Sequence, residues 1–154
     1  MPRDVIEIRG LNDLIARLDD VSQNVFERQL MAEIGEYIIF RIEKHTAQGK
    51  DVEGRDFDPY TPRYRLFRQK TGHPVDKVNL FYSGSMMSSM TRTETADESR
   101  VFFMPTVDRK GVSNPLKAYA LNKKRRFFAV GVAEQRKIID MVREHAEQLL
   151  LGES

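Results

Sequence analysis

Apolar residues recur every fourth position through one long stretch of this chain: Phe26, Leu30, Ile34, Ile38 and Ile42, widened by Val25, Met31 and Tyr37. A 3.6-residue turn places them on one face, so the pattern predicts an amphipathic helix over about 22–47. Ser22 is its candidate cap and Gly49 its stop. A second stripe, Ile138, Met141, Val142, His145 and Leu149, predicts a helix over about 133–151, following Gly131. Period-2 alternation marks residues 4–9 as an opening strand closed by Gly10. Asn12 then caps a short helical turn with Leu14, Ile15 and Leu18. Residues 86–95 and 100–104 read as a hairpin across Ala96–Ser99, its second arm ended by Pro105. Residues 78–82 read as a strand or turn, and 116–121 and 125–130 as two further short strands or extended segments. The pattern predicts an α+β single domain over 1–154. Its N-terminal and C-terminal helices pack on a small antiparallel sheet.

Residues 48–77 break every period. They hold Gly49, Gly54, Pro59, Pro62, Gly72 and Pro74 among charges and the aromatics Phe57, Tyr60, Tyr64 and Phe67. The reading is a long extended loop with a short helix at 62–69. Thirty irregular residues in a small domain suit an arm ordered by a partner.

Composition narrows the chemistry. The chain has 154 residues and no Cys, which excludes disulfides, Cys-ligated zinc and thiol catalysis. Three His (His45, His73, His145) are too few for a histidine-rich metal centre. No apolar run approaches the ~20 residues of a membrane span, and the N-terminus lacks a secretory apolar region. A protein with no membrane association is expected. The net charge is +2, but unevenly spread: −4 over residues 1–40, +8 over 41–126 and −2 over 127–154.

Candidate chemistry is sparse. Ser83-Gly84-Ser85 is not a G-x-S-x-G elbow and has no neighbouring His in sequence. His45 and His145 do not repeat the His-Glu-x-x-His spacing of a zinc helix, and His145 falls on an apolar stripe. The acidic run Asp51–Asp58 lacks the ligand order of a calcium loop and carries Arg55 at its centre. No glycine-rich phosphate loop is present. The expectation is a protein without enzymatic activity, cofactor or metal. Two basic clusters remain: Arg63, Arg65, Arg68 and Lys70 among aromatics, and Lys123-Lys124-Arg125-Arg126 before Phe127-Phe128. Basic residues interleaved with aromatics suit a phosphate-tracking surface, though no sequence-reading DNA motif accompanies them.

Three ordered segments carry a resemblance. Gly54-Arg55-Asp56-Phe57-Asp58-Pro59-Tyr60-Thr61 follows the long helix. Leu80-Phe81-Tyr82-Ser83-Gly84-Ser85-Met86-Met87-Ser88-Ser89-Met90 comes next. Tyr119-Ala120-Leu121-Asn122, with Arg125-Arg126-Phe127-Phe128-Ala129-Val130-Gly131, precedes the final helix. In order and spacing, over about 20–150, they resemble the tail-completion, or virion morphogenesis, proteins of tailed bacteriophages, a group related in layout to head–tail connectors and tail terminators. Asn122 runs almost directly into Arg125-Arg126 where that family has a glycine-rich stretch.

The resemblance implies a structural virion protein of the neck, assembled in the host cytoplasm, which joins tail to head as a homo-oligomeric ring, a hexamer favoured, among other neck or tail proteins. The expected subunit or partner interface is Phe57, Tyr60, Arg63, Tyr64, Arg65, Phe67 and Arg68. Lys123, Lys124, Arg125 and Arg126 are expected to face passing DNA, contacted without sequence preference, or an acidic neighbour. The alternative is a nucleic-acid-binding module acting through the basic middle.

Overall fold

A computed structural model describes residues 5–8, 28–80 and 84–151. Strand β1 (Val5–Ile8) precedes helix α1 (Arg28–Ala47), and α2 (Pro62–Lys70) and α3 (Ser85–Ser88) follow. The hairpin β2 (Met90–Glu94) and β3 (Ser99–Phe103) then leads to α4 (Asn114–Lys124) and α5 (Val132–Leu150). The three strands form an antiparallel sheet in the order β1-β3-β2. Val5 pairs with Phe102 and Met90 with Phe103. The class is α+β, as the hydrophobic pattern implies.

The core grows from α1. Leu30, Met31, Ile34, Ile38 and Ile42 are all buried, the four-residue stripe turned inward. Gly35 lets α1 approach the sheet, since a Cβ there would sit 2.8 Å from Ser99 Oγ and 3.0 Å from Arg92 Cδ. Val101 and Phe103 of β3 meet α1 from the sheet side. Phe103 in turn holds Phe128 at 4.8 Å and Phe127 at 6.2 Å between ring centres. Helix α5 packs mainly on α1 through Ile138, Val142 and Ala146, so α1 is the central layer between sheet and C-terminal helix.

A buried polar contact ties α5 to α1. Glu134 of α5, 6 % exposed, accepts from Arg41 Nε at 2.9 Å. His45 Nε2 lies 3.4 Å from the same carboxylate oxygen and 2.7 Å from Arg41 Nη2, and its Nδ1 lies 3.0 Å from the Asp51 carbonyl. His45 is therefore a packing and positioning residue here, joined to Glu134 rather than to its sequence neighbour Glu43. His145 sits half-buried on the apolar face of α5.

Two expectations are overturned and one, for 125–130, is narrowed. The segment 116–121 is helix, not strand: Ser113 caps α4 by accepting from Leu116 N, and Pro115 occupies its first turn. Residues 125–130 are irregular, folded back by Asn122. Its Oδ1 accepts from Phe128 N at 2.9 Å and its Nδ2 donates to Phe128 O at 3.2 Å. The third is the arm. Residues 48–61 are tucked against their own molecule rather than extended. Val52 N donates to Arg126 O at 2.9 Å, and Phe57, buried, joins the core. Gly131 admits this turn, because a Cβ there would meet Val52 O at 2.6 Å. The cap Ser22, the turn after Asn12, and residues 81–83 lie outside the described residues.

Candidate functional site

Helix α2 is the surviving tip of the arm, and local sequence explains it. Thr61 Oγ1 accepts from Tyr64 N at 3.3 Å and Pro62 fills the first turn. At the far end Gly72 adopts φ +74. Its N–H reaches Gln69 O at 3.2 Å and His73 N–H reaches Arg68 O at 2.9 Å, the double bond of a left-handed glycine stop. Along α2 every residue is exposed except Arg68. Arg68 is 1 % exposed, donates from Nε to Pro74 O at 3.0 Å, and lies 4.8 Å over the Tyr60 ring. Tyr64 and Phe67 stack at 5.9 Å, and Tyr60 meets Tyr64 edge-on at 5.2 Å.

Across from α2 stands α4. Its residues 114, 118 and 121 share one helical face; Asn114 and Ala118 are buried there, and Arg125, the extended residue that ends the helix, is buried too. Asn114 Nδ2 donates to Ser85 Oγ at 3.1 Å and to Thr106 Oγ1 at 2.8 Å, which locks α3 and the 105–113 loop to α4. Between these elements lies a groove of about 880 Å³. Leu80, Met86, Met87 and Leu121 form its aliphatic floor; Tyr64 and Phe67 wall one side and Val107 the other. Arg109, Lys110, Lys117 and Lys124 add positive charge, against the single carboxylate of Asp108 among the lining residues.

Asp108 holds the 105–113 loop closed. Its Oδ1 accepts from Lys110 N at 2.8 Å and Val112 N at 2.9 Å, and its Oδ2 accepts from Lys117 Nζ. The Lys117 contact first, then these backbone donors, bring its carboxyl down to about 2. A depressed folded value against ~3.9 unfolded means a contribution complete above about pH 4 and lost as pH falls through about 2. A carboxyl-detected NMR titration is expected to place Asp108 well below its free value. Amide shifts of 107–112 should follow that titration, and Asp108→Asn should abolish the dependence. A titration near ~3.9 would refute the role assigned to Lys117.

The groove brings together residues from both sequence clusters, but not all of them. Tyr60, Tyr64, Phe67 and Arg68 line it with Lys124 and Arg125. Arg63 and Arg65 are exposed elsewhere on α2. Phe57 and Arg68 were expected at an interface; both are buried, one in the core and the other on the Pro74 carbonyl. Arg125 is likewise turned inward: Nε and Nη2 donate to Asp58 O at 3.2 and 3.1 Å. The basic run fans apart because it ends a helix. Lys123 lies 4.4 Å over Tyr119, Lys124 faces the groove, and Arg126 approaches Glu53 at 3.7 Å. No family model, curated protein or solved structure matches this chain.

Sequence reasoning missed Asn114, Asp108 and Lys117. Ser113-Asn114-Pro115 is a helix-start signal that could have revealed the first. Asp108-Arg109-Lys110-Gly111 is a turn signal that could have revealed the second. Ser85 shares its hydroxyl with Asn114, which gives it a structural partner. In the 50–58 turn, Asp51 Oδ1 accepts from Glu53 N and Arg55 N, each at 2.9 Å, and Asp56 pairs with Lys50 at 2.6 Å. Among the described residues no three His, Asp or Glu are placed to hold a metal ion, and no helix is long and apolar enough to cross a membrane.

Proposed function

We propose that this chain is a ring-forming structural protein of the phage neck, a tail-completion, tail-terminator or connector protein, and that copies meet through α2. The observation that carries the reading is the exposure of α2. Leu66 is 57 % exposed, Phe67 43 % and Tyr64 39 %, flanked by exposed Arg63 and Arg65. Aromatic and arginine anchors on a short, capped helix are the composition of an interface centre. The tucked turn 48–61 confines the contact surface to that helix, and a pinned root presents it with little ordering cost. Rotational symmetry would repeat the contact around a closed ring.

Light scattering and negative-stain imaging of the purified protein are expected to show closed rings. Arg63, Arg65 and Phe67 changed together to Ala should leave a folded monomer with an unchanged circular dichroism spectrum and no rings. A wild-type chain that stays monomeric at every concentration, and is absent from virions, sinks the reading.

The second reading is a nucleic-acid module. Arg109, Lys110 and Lys124 favour it: they are exposed and make no ion pair among the described residues. It expects DNA affinity to fall steeply with salt, by about one counterion per phosphate contact.

A further inference from the structure

We propose that the groove between α2 and α4 is a docking site for an acidic, amphipathic helical segment of a protein partner. The inference goes beyond ring assembly: Arg63, Arg65 and Leu66 of the ring contact lie outside the groove lining, and Tyr64 and Phe67 are the residues the two surfaces share.

Charge complementarity selects the sign of the partner. Arg109, Lys110 and Lys124 stand exposed around the groove, while Asp108, the one carboxylate among its described lining residues, is already engaged by Lys117. A negatively charged segment is therefore drawn to this mouth and a basic one repelled. The floor selects the class of molecule. Leu80, Met86, Met87 and Leu121 offer no donor to a phosphate. The two deepest cations, Arg68 and Arg125, already donate to the Pro74 and Asp58 carbonyls. A nucleic-acid backbone seated here would leave phosphates over aliphatic carbon, which costs free energy without return. Apolar anchors flanked by carboxylates match both floor and rim. Adjacent methionines adapt to the shape of such anchors.

The walls select the occupant's backbone. Helices α2, α3 and α4 and the 105–113 loop surround the groove, and among the described residues no sheet strand lines it. An extended peptide finds no ladder to join, so the available mode is a helix laying apolar residues at i, i+3, i+4 and i+7 into a hydrophobic trough. The 880 Å³ volume accommodates several anchor side chains.

The test uses the full chain and three labelled probes. The first is a synthetic peptide with leucines at i, i+3, i+4 and i+7 and glutamates between them. The second is the same composition with the leucine spacing scrambled, and the third is an oligothymidylate of equal charge. Fluorescence anisotropy is expected to show the patterned peptide binding at least about tenfold more tightly than either control. Methyl signals of Val107 and Leu121 should shift with it. Val107 is 61 % exposed, so Val107→Asp should fold normally and reduce binding. Arg109→Glu, Lys110→Glu and Lys124→Glu combined should reduce it by about tenfold or more and flatten its salt dependence.

Equal binding of the scramble or the oligonucleotide overturns the proposal. So does the absence of binding, binding that shifts other residues, or a groove that a second copy covers in the assembled particle. Particle mass is read on the same samples. Rings without probe binding defeat the groove alone, and probe binding to a strict monomer defeats the ring alone.

Discussion

Phe127→Ala is expected to lower the free energy of unfolding by about 3–5 kcal/mol. Phe127 is 1 % exposed, and its ring lies 6.2 Å from Phe103 on the sheet and 6.3 Å from Phe128. It stands where the irregular segment after α4 enters the core, so truncation removes both buried area and the packing that joins this segment to β3. Asn122 fixes the backbone at Phe128 through two hydrogen bonds, which hinders collapse of the cavity. Against a typical total of about 5–15 kcal/mol the loss is a large fraction. Urea unfolding should show a lower midpoint at unchanged slope, and Phe127→Leu should recover more than half the loss. A loss below about 1 kcal/mol would mean that the aromatic cluster does not organise this core.

Arg68→Ala is expected to cost about 2–4 kcal/mol, most of it local to α2. The substitution removes a charged hydrogen bond to Pro74 O, the cation over Tyr60, and the stem that fills the space between them. Since Arg68 is the buried residue of α2, its loss should release the helix from the body. Amide exchange across 62–73 should accelerate far more than across α1. Ring formation should weaken as well, because the presenting helix loses its fixed attitude. Arg68→Lys should restore little, since a lysine has no planar guanidinium to lay over the ring while donating sideways. Equal acceleration of exchange in α1 and α2 would show instead that Arg68 belongs to the global core.

Where a single element could be read by itself, the sequence was legible. The stripe Leu30–Ile42 and the stripe Ile138–Val142 became α1 and α5 because burying a one-sided helix is a local rule that needs only a core somewhere. The hairpin was visible as two strand-forming runs, 86–95 and 100–104, around a polar turn, although the start of the first run is the short helix Ser85–Ser88. The short helix read at 62–69 became α2 although its surroundings looked irregular. The misreading of 116–121 as strand had a local remedy, the Ser113-Asn114-Pro115 cap. The groove had none, because its sides come from residues 60–68, 80, 84–87, 107–117 and 121–125, and no local pattern announces that they converge.

By itself the chain's order of residues determined the α+β class, the inward face of each long helix and the exposed charge on α2, since those follow from backbone periodicity and from the cost of burying ions. Only the tertiary structure decided which arginines remain available. Arg68 and Arg125 are as basic as Arg63 and Arg126, yet each found a backbone carbonyl and the Tyr60 ring and turned inward, Arg68 within its own segment and Arg125 at the distant Asp58. Desolvating a guanidinium is compensated only when such acceptors are positioned around it, and that positioning is a property of the assembled fold.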